Sequence, residues 1–199
     1  IDAWLRYKVC KAVPKHLAKS RTLMQMRWIR TFKADSAGKG RIVVRGYQHE
    51  SLGSVQTESP TASKRARQPF FTKLAQQKWR CYKADARAAF LQGDLADAAE
   101  PVFCEPLPEL KTALKMTDDE VLLLLKSMYG LTDAPRCWWV KVSEVMERLD
   151  WKVCQCEPCT WRRCHRAGKL IGLACCHVDD FMFGGCDGDS DWQTWGMGM

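Results

Sequence analysis

The stretch Lys169-Leu170-Ile171-Gly172-Leu173-Ala174-Cys175-Cys176-His177-Val178-Asp179-Asp180-Phe181-Met182-Phe183-Gly184 holds two apolar runs around a pair of acids. Each run is strand-sized, and four residues separate them, so the segment predicts a β-hairpin with two carboxylates at its tip. Adjacent acids between apolar strands are costly. Two like charges repel by about 1 kcal/mol at 4 Å in bulk water, and by more where water is partly excluded. A cation removes that penalty, and hard oxygen donors suit Mg²⁺. Taken by itself, Asp179-Asp180 reads more readily as an ordinary turn than as a metal site.

A third acid changes the weighing. Trp79–Ala84 reads as a strand that delivers Asp85, which stands 94 residues before Asp179. A fold can bring the two strand ends side by side. Three carboxylates on neighbouring strands can hold two metal ions about 3.5–4 Å apart, the spacing used in in-line phosphoryl transfer.

The rest of the chain supplies strands, helices and charge. Trp28–Phe32 and Arg41–Gly46 read as two strands joined by a turn at Ala37-Gly38-Lys39-Gly40, a hairpin with basic residues on both arms. Residues 47–62, with Gly53 and Pro60, read as loop. Ser63 is placed to cap a helix running to about Lys78, with Ala66, Phe70, Leu74 and Gln77 at helical spacing. Residues 92–119 read as an irregular, acid-rich excursion that ends in a buried strand, Val121–Lys126. Pro135 suits the start of a second helix whose Trp138, Val142, Val145 and Leu149 share a face. The last fifteen residues show no clear periodicity. The fold class expected is α+β, a small antiparallel sheet backed by helices near 63–78 and 135–150.

Charge is unevenly spread. Residues 1–83 carry 19 Lys/Arg against 4 Asp/Glu, and the remainder 12 against 19. A basic half followed by an acidic half suits a polyanion held near carboxylates. No apolar run is long enough for a membrane helix, so no membrane partner is expected. The first residues, Ile1-Asp2-Ala3-Trp4, contain no initiator Met and no signal-peptide core, which reads as an internal piece of a longer product. Eleven cysteines, an odd number with no secretory signal, read as mostly free thiols in a reducing compartment. Cys154, Cys156, Cys159, Cys164 and His165 are zinc-ligand types, but no second well-spaced pair follows, and incidental or buried thiols are the expectation.

Four blocks then carry a resemblance. They are Gly40-Arg41-Ile42-Val43-Val44-Arg45-Gly46-Tyr47, Lys83–Leu95 around Asp85, Lys126–Arg136 around Tyr129-Gly130, and His177-Val178-Asp179-Asp180. In this order they resemble the reverse transcriptase of copia-type LTR retrotransposons, from about Trp28 to Gly185. The resemblance implies the fingers and palm of a right-hand polymerase. Residues 1–80 would be mainly fingers, and 81–186 the palm, with part of 92–130 returning to the fingers. Residues 187–199 would be a truncated tail, with the thumb missing.

The resemblance also implies the chemistry, an RNA-directed DNA polymerase adding deoxynucleotides to a primer 3′-hydroxyl on an RNA or DNA template. Asp85, Asp179 and Asp180 would be the catalytic and metal carboxylates, with two Mg²⁺ ions that Mn²⁺ could replace. Arg41 and Arg45 would face the triphosphate, Phe90 would exclude a 2′-hydroxyl, and Tyr129 and Gly130 would line the nucleotide pocket. Implied partners are template and primer, deoxynucleotides, and the integrase and RNase H of the same Pol polyprotein. The implied setting is cytoplasmic, in a virus-like particle, with a nuclear one as the second option. Departures from the family pattern are His177, where an aromatic is usual, and Thr132-Asp133, where a more basic and amide-bearing pair is usual. The competing expectation is an inactive, truncated remnant that binds nucleic acid without polymerising.

Overall fold

The structure is a computed structural model that describes residues 1–32, 38–48, 56–95, 100–165 and 167–196. In chain order its elements are α1 (Asp2–Arg6), β1 (Cys10–Pro14), β2 (Leu23–Met24), β3 (Met26–Phe32), β4 (Gly38–Val44), α2 (Lys64–Gln77), β5 (Arg80–Asp85), β6 (Phe103–Cys104), α3 (Pro108–Leu114) and β7 (Glu120–Leu124). They continue as α4 (Ala134–Arg148), β8 (Lys152–Cys154), β9 (Glu157–Cys164), β10 (Leu170–His177), β11 (Asp180–Gly185) and α5 (Ser190–Gly196). The class is α+β, as expected.

The chain forms two compact units. The first comprises Ile1–Glu58 and Ala88–Lys141, the second Ser59–Arg87 and Val142–Met199. Residues 59–80 therefore lie in the second unit, and the excursion at 92–130 lies in the first.

In the first unit a four-stranded sheet runs β1-β7-β6-β2, with only β2 and β6 parallel. β3 and β4 form a separate two-stranded antiparallel ribbon, paired from Met26–Val44 to Phe32–Gly38. The core gathers Trp4, Val9, Met24, Ile42, Val44, Cys104, Leu110, Leu122 and Met128. Val121 and Leu122 are both buried, so β7 is covered on two faces, which explains its unbroken apolar run. Two expectations change here. Gly38, Lys39 and Gly40 belong to β4, not to a turn, because the ladder continues through Arg30–Gly40. A Cβ at Gly40 would sit 3.2 Å from the Trp28 ring, so glycine lets that ring lie flat across the ribbon. Ala37 and Gly53 lie outside the described residues. The excursion at 92–119 holds β6 and α3. Pro108 opens α3, where its missing N–H costs nothing, Leu110 anchors it, and Lys115 ends it at φ 54°.

The second unit is built on a five-stranded antiparallel sheet, β5-β11-β10-β9-β8. Ser63 caps α2 as expected, its hydroxyl accepting from the Ala66 N–H at 3.0 Å. Phe70 and Leu74 are the buried side of α2, while Gln77 is exposed. Leu74 packs where a Cβ at Gly184 would be 2.5 Å away, so the glycine in β11 makes room for the helix. The tail, read from sequence as without periodicity, forms α5. Asp189 accepts from the Asp191 N–H at 3.0 Å, and the buried Trp192 ring covers Gly172 and Gly185, which are cross-strand partners. Residues 197–199 lie outside the description.

The boundary between the units falls within α4. Pro135 is its second residue, close to the expected start. Its buried stripe is Trp138, Val142 and Met146. Leu149 falls beyond the helix and is exposed, because Asp150 turns the chain at φ 61° and the Trp151 N–H returns to the Met146 carbonyl at 2.9 Å.

Candidate active site

β10 and β11 are joined by only two residues, Val178 and Asp179, between the paired ends His177 and Asp180. Val178 has φ +59°, a conformation that a β-branched side chain adopts only under strain. This tight loop fixes Asp179 at the tip and Asp180 at the first position of β11. The next strand over, β5, ends at Asp85, and the register sets Asp85 directly opposite Asp180. The Ala86 N–H donates to the Asp179 carbonyl at 2.8 Å, which ties the chain after Asp85 to the hairpin tip. All three candidate carboxylates thus lie at one end of one sheet.

Their charge is partly answered by Lys83. Strand periodicity puts Lys83 on the same face as Asp85, diagonal to Asp180, and its Nζ lies 2.9 Å from Asp180 Oδ1. The hydrogen bond and charge of Asp180, with further attraction from Asp85 and Asp179, hold the lysine pKa above its ordinary value. Lys83 has no role in the resemblance. Its spacing of two from Asp85 was the signal that it shares the carboxylates' face.

As donors, three carboxylates on adjoining strand ends fit hard divalent cations. Among the described residues, however, no three His, Cys, Asp or Glu side chains are gathered closely enough to hold a metal ion. The strands bring the three acids into register, and Asp180 is turned to its lysine. The cysteines are free thiols: Cys159, Cys175 and Cys176 are buried in the sheet, and Cys156 and Cys164 are exposed.

Of the other candidate residues, Arg41, Phe90, Tyr129 and Gly130 lie together within the first unit. The Arg41 guanidinium stands over the Tyr129 ring at 5.4 Å, and Phe90 meets the same ring edge-on with centroids 5.2 Å apart. Gly130, at φ +99°, lies so close to β4 that a Cβ would be 2.0 Å from the Val44 carbonyl oxygen. The Val44 N–H donates to the Tyr129 carbonyl at 2.9 Å. Arg45 is turned elsewhere, donating to Gln25 Oε1 at 2.5 Å. Of the two arginines, only Arg41 joins the aromatic pair.

Asp94, within the Lys83–Leu95 block, has no role in the resemblance either. Its carboxylate accepts from Lys126, and from Lys141 at 2.6 Å. The Ser127 N–H also donates to the Gly93 carbonyl at 2.9 Å. These bonds join the segment after Phe90 to the segment before Tyr129. No local sequence pattern announces a clamp whose partners are 32 and 47 residues away.

Comparison with known proteins agrees with the motifs. Residues 7–190 match the family model for reverse transcriptase (RNA-dependent DNA polymerase). The retrovirus-related Pol polyprotein from transposon RE1 of Arabidopsis thaliana is 29% identical over 182 residues, 87% of this chain and 12% of the relative. That from transposon RE2 of the same plant is 33% identical over 127 residues, 61% of the chain and 8% of the relative. The Pol polyprotein from transposon TNT 1-94 of Nicotiana tabacum is 27% identical over 177 residues, 86% and 13% respectively. The chain spans roughly a tenth of the length of these relatives. With a family match over nearly its whole length, the chain belongs to the reverse transcriptase (RNA-dependent DNA polymerase) family, with copia-type retrotransposon Pol polyproteins as its relatives.

Proposed function

We propose that the chain is the fingers and palm of an RNA-directed DNA polymerase, with the second unit's sheet as palm and the β3–β4 ribbon in the fingers. The observation that carries this is the register pairing of Asp85 with Asp180 beside Asp179 at a two-residue hairpin tip. In the reaction the primer 3′-oxygen attacks the α-phosphorus of a deoxynucleotide. The bond to the β-phosphate oxygen breaks, pyrophosphate leaves, and the hydroxyl proton passes to solvent. Asp85, Asp179 and Asp180 would hold two divalent ions, Mg²⁺ or Mn²⁺, which when bound supply charge neutralisation around the phosphoryl group.

The remaining roles follow the chemistry of each side chain. Arg41 is placed over Tyr129 with its guanidinium exposed, suited to a triphosphate. Arg45, bonded to Gln25, shapes the ribbon and is the weaker candidate for that contact. Phe90 would exclude a ribose 2′-hydroxyl, and Tyr129 with Gly130 would line the nucleotide pocket. Catalysis would rest on positioning and electrostatics, with no covalent intermediate. Partners would be an RNA or DNA template with primer, deoxynucleotides, and the integrase and RNase H parts of a Pol polyprotein. The setting proposed is cytoplasmic, in a virus-like particle, with nuclear entry as the second option. No helix among the described residues is long and apolar enough to cross a membrane.

Primer extension with Mg²⁺ tests the reading, comparing the chain with Asp179→Asn. Extension by the wild-type chain that the variant loses supports it. Equal signal from both, or none from either, favours the second reading, a nucleic-acid-binding remnant in which Asp180 stays paired with Lys83.

A further inference from the structure

β5 is an edge strand of its sheet, and Arg80, Cys81, Tyr82 and Lys83 along it are exposed. An edge lysine ordinarily keeps its ammonium in open water, where it deters a further strand from pairing. Lys83 reaches sideways instead, to Asp180 on β11, with Nζ 2.9 Å from Oδ1. Asp85 and Asp179 attract the same ammonium. The two paired side chains are 69% and 49% exposed, so the contact adds little to folding stability. It does occupy an oxygen of a proposed metal ligand. Among the described residues, no three acid, histidine or cysteine side chains are gathered closely enough to hold an ion, although the register aligns three acids at this sheet end.

We propose that Lys83 is an internal counter-cation that competes with divalent ions for Asp180, and so sets the metal concentration at which the site fills. While no ion is bound, the ammonium answers Asp180 and eases the repulsion among three acids at one sheet end. An ion taken up by the same carboxylate would stand beside the ammonium, and the two cations repel. Lysine suits a contact that must be given up. It is a point charge on a flexible stem, and on an exposed edge strand it can swing into water. A guanidinium would grip both carboxylate oxygens and leave less readily. The inference rests on the reading of Asp85, Asp179 and Asp180 as metal ligands, and it adds the residue that tunes them.

The test is titration of the 199-residue chain with Mn²⁺ alone, the free ion being counted by electron paramagnetic resonance. Lys83→Met and Lys83→Gln should bind Mn²⁺ about two- to fivefold more tightly than wild type, the equivalent of one exposed ion pair. Lys83→Arg should bind no more tightly than wild type. Arg80→Met removes an equal charge from the other end of β5, where the partner is Asp187, and should leave the affinity unchanged. Circular dichroism should match wild type throughout. A merely structural ion pair would lower the thermal midpoint in chelator and leave Mn²⁺ affinity unmoved, which would overturn the proposal. Weaker binding by the neutral variants would also overturn it, because Lys83 would then be orienting Asp180 for the ion. An equal gain from Arg80→Met would do the same by making the effect one of net charge. Asp179→Asn separates this failure from failure of the metal reading. If it loses Mn²⁺ while Lys83→Met binds like wild type, only the role of Lys83 falls. If it binds like wild type, or if no form of the chain binds Mn²⁺, both fall.

Discussion

Asp85 and Asp180 are direct cross-strand partners at the ends of β5 and β11. Like charges opposite one another weaken a sheet by some tenths of a kcal/mol, so the native pairing works against folding while it aligns the carboxylates at one end of the sheet. Asp85→Asn removes the repulsion and spares the Lys83–Asp180 ion pair. It should raise the thermal midpoint by a few degrees in chelator at low salt, with the gain shrinking as salt screens the pair. In wild type, millimolar Mg²⁺ should itself raise the midpoint, as any ligand of the native state does. Asp85→Asn should lose that response. A wild-type midpoint indifferent to Mg²⁺ would count against the metal role with no assay of activity.

The tip of that hairpin was legible as two strands around two acids, and Asp85 as the end of a third strand. Their register was not, because pairing β5 to β11 is a non-local choice made by packing, such as Leu74 over Gly184. The strain at Val178 was also invisible, since valine is the last residue a turn predictor would place at φ +59°. Val178→Gly relieves a penalty of about 1–2 kcal/mol and loses up to about 1 kcal/mol through the unfolded chain's entropy. Equilibrium unfolding should therefore show slight stabilisation, whereas Val178→Ala should gain less. Clear destabilisation by glycine would mean that the Val178 side chain is held by packing and the conformation is not strained.

The glycine at 130 could be recognised by motif, but its physical necessity comes from a close crossing of two backbone segments. A Cβ there would lie 2.0 Å from the Val44 carbonyl oxygen, and one at Gly46 would lie 2.0 Å from the Gly130 carbonyl oxygen. Neither obstacle is a flexible side chain. Gly130→Ala should cost at least about 3 kcal/mol, combining backbone strain with a clash against main chain. Gly188→Ala, with open space around it, should be close to neutral in the same denaturant titration. If both alanines were tolerated equally, the crossing between β4 and the Tyr129 loop would be looser than described.

Sheet glycines at 172 and 185 show a different use of the missing side chain. They pair across β10 and β11 and together receive the Trp192 ring. This is how fifteen residues without periodicity still hold a helix against the sheet: one tryptophan sits in a two-glycine seat. Gly185→Ala would bring a methyl within 2.3 Å of that ring and should expel it. A red shift of tryptophan emission and faster proteolysis after residue 186 should report the release. Unchanged emission would show that α5 is held by something other than Trp192.

Asp94 gives the chain a defined acid sensitivity. Burial alone would raise its pKa, but hydrogen bonds and attraction from Lys126 and Lys141 outweigh this and leave it below its ordinary value. A carboxyl depressed in the folded state contributes stability that is complete above its unfolded pKa of about 3.9, and that is lost as pH falls through the lower folded value. Asp94 is half exposed, so solvent screening keeps the contribution modest, on the order of 1 kcal/mol. The difference in unfolding free energy between wild type and Asp94→Asn should thus be constant from pH 7 to 5 and shrink below pH 4. Because Asp94 joins the segments that carry Phe90 and Tyr129, the variant should also loosen their edge-on contact. Tyrosine near-ultraviolet dichroism would register that loosening at neutral pH, where a purely electrostatic surface pair would leave the signal untouched.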